Sequence, residues 1–183
     1  MKTLIINNHT KHIKELENVF PGSVVISKED IENLNPIDFD LIVISGGSGV
    51  PSVVSHNENY ILEESIVKSG KPVIGICLGC EIICKAFGGE VEFMSQQEQG
   101  EKVFKILDSG MKEKLHESLI KCYEAHWVRM TKVPEEFDVL IQSNHGPEMI
   151  KHKTLPILGT QFHPEVEIAK GFWDYVTMYL LKI

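Results

Sequence analysis

Short apolar runs bounded by glycine, proline or polar residues recur along this chain, and stretches with helical spacing lie between them. "TLIINN", "SVVIS", "DLIVISGG" and "PVIGICL" read as four strands. They are rich in Val and Ile and apolar at successive rather than alternate positions, the pattern of a strand buried on both faces. Between them, residues 10–20 put Ile13, Leu16, Val19 and Phe20 on one helical face. A short acidic helix is expected around 29–34, and residues 59–69 read as a helix closed by Gly70. "CEIICKAFGG" predicts a further helix ended by Gly88 and Gly89. Strands alternating with helices imply a parallel sheet covered on both sides.

The pattern then changes. Residues 90–103 are polar and predict no regular element. Residues 103–107 and 120–130 look like strands of an antiparallel excursion, and "FDVLIQS" and "PILGTQF" like further strands. A last helix is expected over 166–181, apolar at Phe172, Val176, Tyr179 and Leu180. The expected fold class is α/β: one domain over 1–183, an open, mostly parallel sheet with helices on both faces and a small antiparallel excursion. Such sheets place ligand sites at the carboxyl ends of their strands.

Composition narrows the function classes. Apolar residues make up 43% of the 183 positions, enough for a core, and 24% are charged. The net charge of −8 argues against a nucleic-acid surface, which needs clustered Lys and Arg. Lys151, His152 and Lys153 form the one basic cluster and read as a solvated turn. No apolar run suits a secretory leader or a membrane span, so a cytoplasmic protein with reduced thiols is expected. Cys77, Cys80, Cys84 and Cys122 are then not a disulfide framework.

"GICLGCE", residues 75–81, carries the candidate chemistry. Cys77 has three readings. Cys77 and Cys80 form the C-x-x-C of a redox site at a helix start. Cys77, Cys80 and Cys84 have spacings compatible with a metal, but no fourth ligand lies nearby. Gly75-Ile76-Cys77-Leu78-Gly79 is also G-x-C-x-G, a nucleophile elbow with cysteine as nucleophile. Its strand-to-helix context fits, and a Cβ at either glycine would crowd the turn. The helix N-terminus favours thiolate, which predicts that Cys77 alone has a depressed pKa. The Leu78 N–H is placed to stabilise an oxyanion. A cysteine nucleophile needs a base. His163 in "GTQFHPEV" follows an apolar strand and lies at the same sheet edge as Cys77. Glu165, two residues on in extended backbone, points to the same side and orients the imidazole. His9, His12, His56, His116 and His152 read as solvated, and His126 and His145 are left open.

"GICLGCE", "QFHPE" and "SGGSG" together resemble the class I glutamine amidotransferase family, over nearly the whole chain. The C-terminal third looks most like the branch that forms the separate amidotransferase subunit of GMP synthase. The resemblance implies a flavodoxin-like sheet and glutamine as substrate. It implies Cys77 as nucleophile, His163 as base and Glu165 as orienting acid. Gly47 and Leu78 would supply oxyanion N–H groups, Gly49 would let substrate approach its loop, and the backbone at Trp127 and Val128 would hold the amino-acid end of glutamine. Glu81 stands where the family usually has Gln, as it does in the related γ-glutamyl hydrolases, and is expected within reach of substrate. Val128 stands where the GMP synthase branch usually has an acid. No cofactor or metal is implied. The chain has no ATP-binding motif, since "GGSG" is not a P-loop. The ammonia would therefore pass to an ATP-dependent synthase on another chain. The alternatives are a stand-alone γ-glutamyl hydrolase and a non-catalytic homologue that keeps the fold.

Overall fold

The computed structural model describes residues 1–48, 52–55, 57–168 and 171–182. Among them, nine strands form one sheet in the order β2-β1-β3-β4-β9-β8-β7-β5-β6. The first half is parallel. β1 (Thr3–Asn8) lies between β2 (Val24–Ser27) and β3 (Leu41–Gly47), and β4 (Val73–Ile76) joins β3 to β9 (Ile157–Thr160). The second half is antiparallel: β8 (Pro147–His152), β7 (Phe137–Gln142), β5 (Glu90–Ile106) and β6 (Leu119–Lys132). The fold is the expected open α/β class, with a sheet that is mixed.

Period-2 alternation splits the apolar runs between two cores. Ile5, Val43, Ile74, Ile76 and Leu158 face α1 (Ile13–Val19) and α5 (Phe172–Leu181), packing with Leu16, Phe20, Phe172 and Val176. Leu4, Ile6, Ile42, Ile44, Val73 and Ile157 face the other way, towards α2 (Ile61–Val67) and α3 (Leu78–Ala86), with Ile66, Cys80, Ile83 and Cys84. A strand that must bury both faces has no polar position to spare, hence its unbroken apolar runs. The acidic segment is a 3-10 helix over Lys28–Asn33, and a 3-10 turn at Asn57–Tyr60 leads into α2.

Four local expectations are corrected. Residues 90–103 belong to the 17-residue β5, which pairs along its length with β6; β6 buries alternate residues, but most β5 side chains are exposed or half-buried, so polar ones cost it little. Residues 151 and 152 are not a solvated turn. They end β8, inside the sheet, and His152 is buried with Nδ1 accepting from the Thr154 and Leu155 N–H groups. A helix not expected from the pattern, α4 (Ser109–Leu115), starts where Asp108 accepts from the Met111 N–H at 2.7 Å and buries Met111 and Leu115. The last helix begins at Phe172, not Val166, because the chain first turns through Pro164 with the Val166 N–H on the His163 carbonyl. No helix among the described residues is long and apolar enough to cross a membrane.

Candidate active site

β4 ends at Ile76 and α3 starts at Leu78, so Cys77 alone makes the turn. It does so with φ 51° and ψ −107°, a conformation that a side chain disfavours at a cost of about 1–3 kcal/mol. Its N–H donates to the Thr160 carbonyl at 2.7 Å, and its carbonyl accepts from the N–H groups of Cys80 and Glu81. The flanking glycines are sterically required. A Cβ on Gly75 would lie 2.4 Å from the Gly79 carbonyl oxygen, and one on Gly79 would lie 2.2 Å from that of Ile44. The turn is therefore wedged between α3 and β3, and its strain is held there by packing.

His163 follows β9. Its N–H donates to the Tyr123 carbonyl of β6 at 2.8 Å, and its Nδ1 donates to Glu165 Oε1 at 2.8 Å, with both side chains buried. That contact leaves Nε2 as the proton-accepting atom of the ring. Gly46 separates the imidazole from the thiol: a Cβ there would meet His163 Cε1 at 2.9 Å and Cys77 Cβ at 3.4 Å. Gly46, next to last in β3, thus makes room for the imidazole to approach the cysteine.

Two adjoining cavities serve this edge. One, of about 250 Å³, is lined by Cys77, Leu78, Glu81, Gly47, Trp127 and Val128 among others. The second, of about 410 Å³, is lined by His163, His12 and Tyr123 and shares Gly47, Ala125 and Trp127 with the first. Every site residue expected from the sequence is brought to these two cavities except Glu165, which lies buried behind His163, and Gly49, which lies outside the described residues. Trp127 is 52% exposed, so the mouth of the first cavity keeps an open aromatic rim.

The electrostatics depart from one expectation. Burial first, and the Glu81 carboxylate second, push the Cys77 thiol well above its usual pKa, and the Leu78 N–H works against them. Cys80, Cys84 and Cys122 are also raised, by burial first. Burial next to an acid thus favours the thiol over the thiolate at Cys77, against the pull of the helix terminus. Glu81 itself is buried and pushed up to about 6, by burial first, against a hydrogen bond from Gln161 Nε2 at 3.1 Å. It thus both lines the Cys77 cavity and holds a fixed partner across α3 and β9.

Several contributors were not legible beforehand. His12, taken as solvated, is half-buried, with its ring centroid 5.1 Å from that of His163. Its pKa is lowered by burial first and by His163 next. Only its place just after the end of β1 signals a role. Gln161 lies two residues before His163 in the same extended segment, a spacing that could have flagged it. His126 lines the Cys77 cavity from β6 and was left open.

A model of the family described as "Glutamine amidotransferase class-I" matches residues 5–176. A subunit of the glutamine-hydrolyzing GMP synthase of Methanothermobacter thermautotrophicus is 31% identical, over 93% of this chain and 96% of that one. The glutamine-hydrolyzing GMP synthase of Thermosipho africanus is 36% identical over 76% of this chain, which spans 26% of its length. Among solved structures, a putative GMP synthase subunit from Thermoplasma acidophilum superposes with a TM-score of 0.82 at 22% identity, covering 100% of this chain and 92% of that one. A glutamine amidotransferase from Thermotoga maritima gives 0.71 at 16% identity, over 90% and 76%.

Proposed function

The chain belongs to the class-I glutamine amidotransferase family, and from that premise we propose that it hydrolyses the side-chain amide of glutamine and hands the ammonia to an ATP-dependent synthase on another chain, of the GMP synthase type. The observation that carries this reading is the strained Cys77 turn standing across Gly46 from a His163 oriented by Glu165. Glutamine enters the 250 Å³ cavity with its amino-acid end against the backbone of Trp127 and Val128. As the amide carbon reaches Cys77, His163 Nε2 takes the thiol proton and sulfur bonds to that carbon. The displaced electron pair goes to the amide oxygen, which the N–H groups of Leu78 and Gly47 receive. The oxyanion then collapses, the C–N bond breaks, and His163 gives its proton to the departing ammonia. A water, deprotonated by the same imidazole, attacks the glutamyl thioester, and glutamate leaves as the thiol is restored. Because the resting thiol is protonated, nucleophile formation is coupled to substrate arrival rather than standing ready.

The test is release of glutamate and ammonia from glutamine by the isolated chain, with and without a GMP synthase chain that lacks its own amidotransferase. Weak release alone and a rise on adding the nucleotide-loaded synthase are expected. Equal release by wild type and Cys77→Ala, or none under either condition, overturns the reading.

A further inference from the structure

Behind the wall of the Cys77 cavity, three ionisable side chains converge that the amide hydrolysis does not use. Glu124 and His126 are two apart on β6 and so share one face of it, and Glu148 reaches them from β8. All three are at least nine-tenths buried. One oxygen of each carboxylate and one ring nitrogen lie within 4.8 Å of one another. His126 and Glu148 are each held by a partner outside the trio. His126 Nδ1 donates to the Val128 carbonyl at 2.7 Å, which turns Nε2 towards the carboxylates, and Glu148 Oε1 accepts from Ser143 Oγ at 2.5 Å. His126 Nε2 stands 2.5 Å from Glu124 Oε2. The other inward oxygens, Glu124 Oε1 and Glu148 Oε2, are buried without a hydrogen bond.

Two carboxylates buried this close, each with one oxygen unpartnered, cost several kcal/mol unless a cation joins both, and the His126 ring makes an ion-pair contact with Glu124 alone among the described residues. No Lys or Arg makes an ion pair with Glu124 or Glu148 among the described residues. An imidazole held by a carbonyl at its other nitrogen, beside a carboxylate held by a hydroxyl, is how outer partners orient the ligands of a metal.

We propose that Glu124, His126 and Glu148 bind one divalent transition-metal ion through His126 Nε2 and one oxygen of each carboxylate. Ligand atoms on a tetrahedral zinc ion stand about 3.4 Å apart, so the 2.5 Å contact of His126 Nε2 with Glu124 Oε2 has to open by about an ångström, and the wider separations, all within 4.8 Å, have to close by no more than about 1.5 Å. One imidazole with two carboxylates suits Zn²⁺, Co²⁺ or Mn²⁺ better than the all-oxygen preference of Mg²⁺ or Ca²⁺. The trio also borders a cavity of about 570 Å³, which leaves the fourth position open to water or a small ligand. The ion ties β6 to β8 immediately behind His126, and so braces the Trp127–Val128 wall. It takes no part in the thiol chemistry.

The experiment uses the full chain stripped with EDTA and titrated with Co²⁺, followed by calorimetry and visible absorption, then challenged with Zn²⁺. One equivalent should bind, with d–d bands but no thiolate-to-cobalt charge transfer, and Zn²⁺ should displace it. Glu148→Gln and Glu124→Gln, nearly isosteric, should each weaken binding by at least ~10²-fold, with folding followed by circular dichroism. Protein alkylated at Cys77 should bind as the untreated chain does. Absence of stoichiometric binding, a thiolate band, or wild-type affinity in both folded Gln variants overturns the site. A failure here leaves the glutamine reading intact, because neither readout involves turnover.

Discussion

The two halves of the sheet divide the work unequally. The parallel half, β1 to β4 with β9, sets the geometry of Cys77 and the position of Gly46 through backbone contacts packed on both faces. The antiparallel half supplies no nucleophile. It pins the His163 backbone through the Tyr123 carbonyl, provides the Trp127 and Val128 wall, and buries most of the unsatisfied charge. Strain is held where strands are covered on both faces, and the more exposed contacts come from the half that carries the β5–β6 arm.

The sharpest test of that contrast is Cys77. Cys77→Ala should lower glutamine turnover by ~10³-fold or more, measured as glutamate release. Cys77→Gly should be equally inactive yet about 1 kcal/mol more stable in urea, because glycine accepts the positive φ without strain. Equal stability of the glycine and alanine variants would mean the turn stores no strain.

Next in size is the base. His163→Ala should lose ~10²–10⁴-fold in kcat, and Glu165→Gln distinctly less, since it only orients the ring. Glu165→Gln as damaging as His163→Ala would place the acid in the chemistry itself.

A pair of glycines compares the halves in stability. Gly79→Ala forces a Cβ to within 2.2 Å of the Ile44 carbonyl oxygen and should cost about 2–4 kcal/mol in a denaturant melt. Gly100→Ala, on the β5 arm at φ 95° with open space around it, should cost about 1 kcal/mol. Similar losses at both would show the arm to be as tightly packed as the elbow.

The effect most confined to one pH window is at Glu81, on α3, whose side chain meets Gln161 just after β9. Its carboxyl, raised from 4.5 to about 6 in the fold, favours the protonated form. Its stabilising share is therefore full below pH 4.5 and is lost as pH rises through 6. The loss amounts to about 2 kcal/mol. Glu81→Gln should flatten that part of the stability curve. It should also speed Cys77 alkylation near neutral pH, since it removes the second cause of the high thiol pKa. An unchanged alkylation rate would mean that the Glu81 charge does not reach the sulfur.

How much was legible follows the same divide. The four parallel strands that open the chain stood out because burial on both faces leaves unbroken apolar runs. The elbow stood out because its strand-to-helix turn admits only glycine at 75 and 79. His163 and Glu165 followed from alternation in a short extended segment. β5 was hidden, because most of its side chains are exposed or half-buried and its backbone hydrogen bonds to β6 leave no mark on side-chain pattern. Residues 151 and 152 read as a turn because their charges suggested water, although β8 lies inside the sheet. α4 was readable in principle, since Asp108 is a helix-capping residue at its start.

The sequence by itself determined the fold class, the strand-to-helix turn at Cys77 as the candidate nucleophile, and the candidate base with its acid, because each is written in local spacing. Only the tertiary structure decided the protonation of Cys77, since burial and the Glu81 charge outweigh a helix terminus that sequence can show. It alone brought Gln161 to Glu81 and set the His12 ring against His163. It alone gathered Glu124, His126 and Glu148, because strands distant along the chain meet only through the register of the sheet.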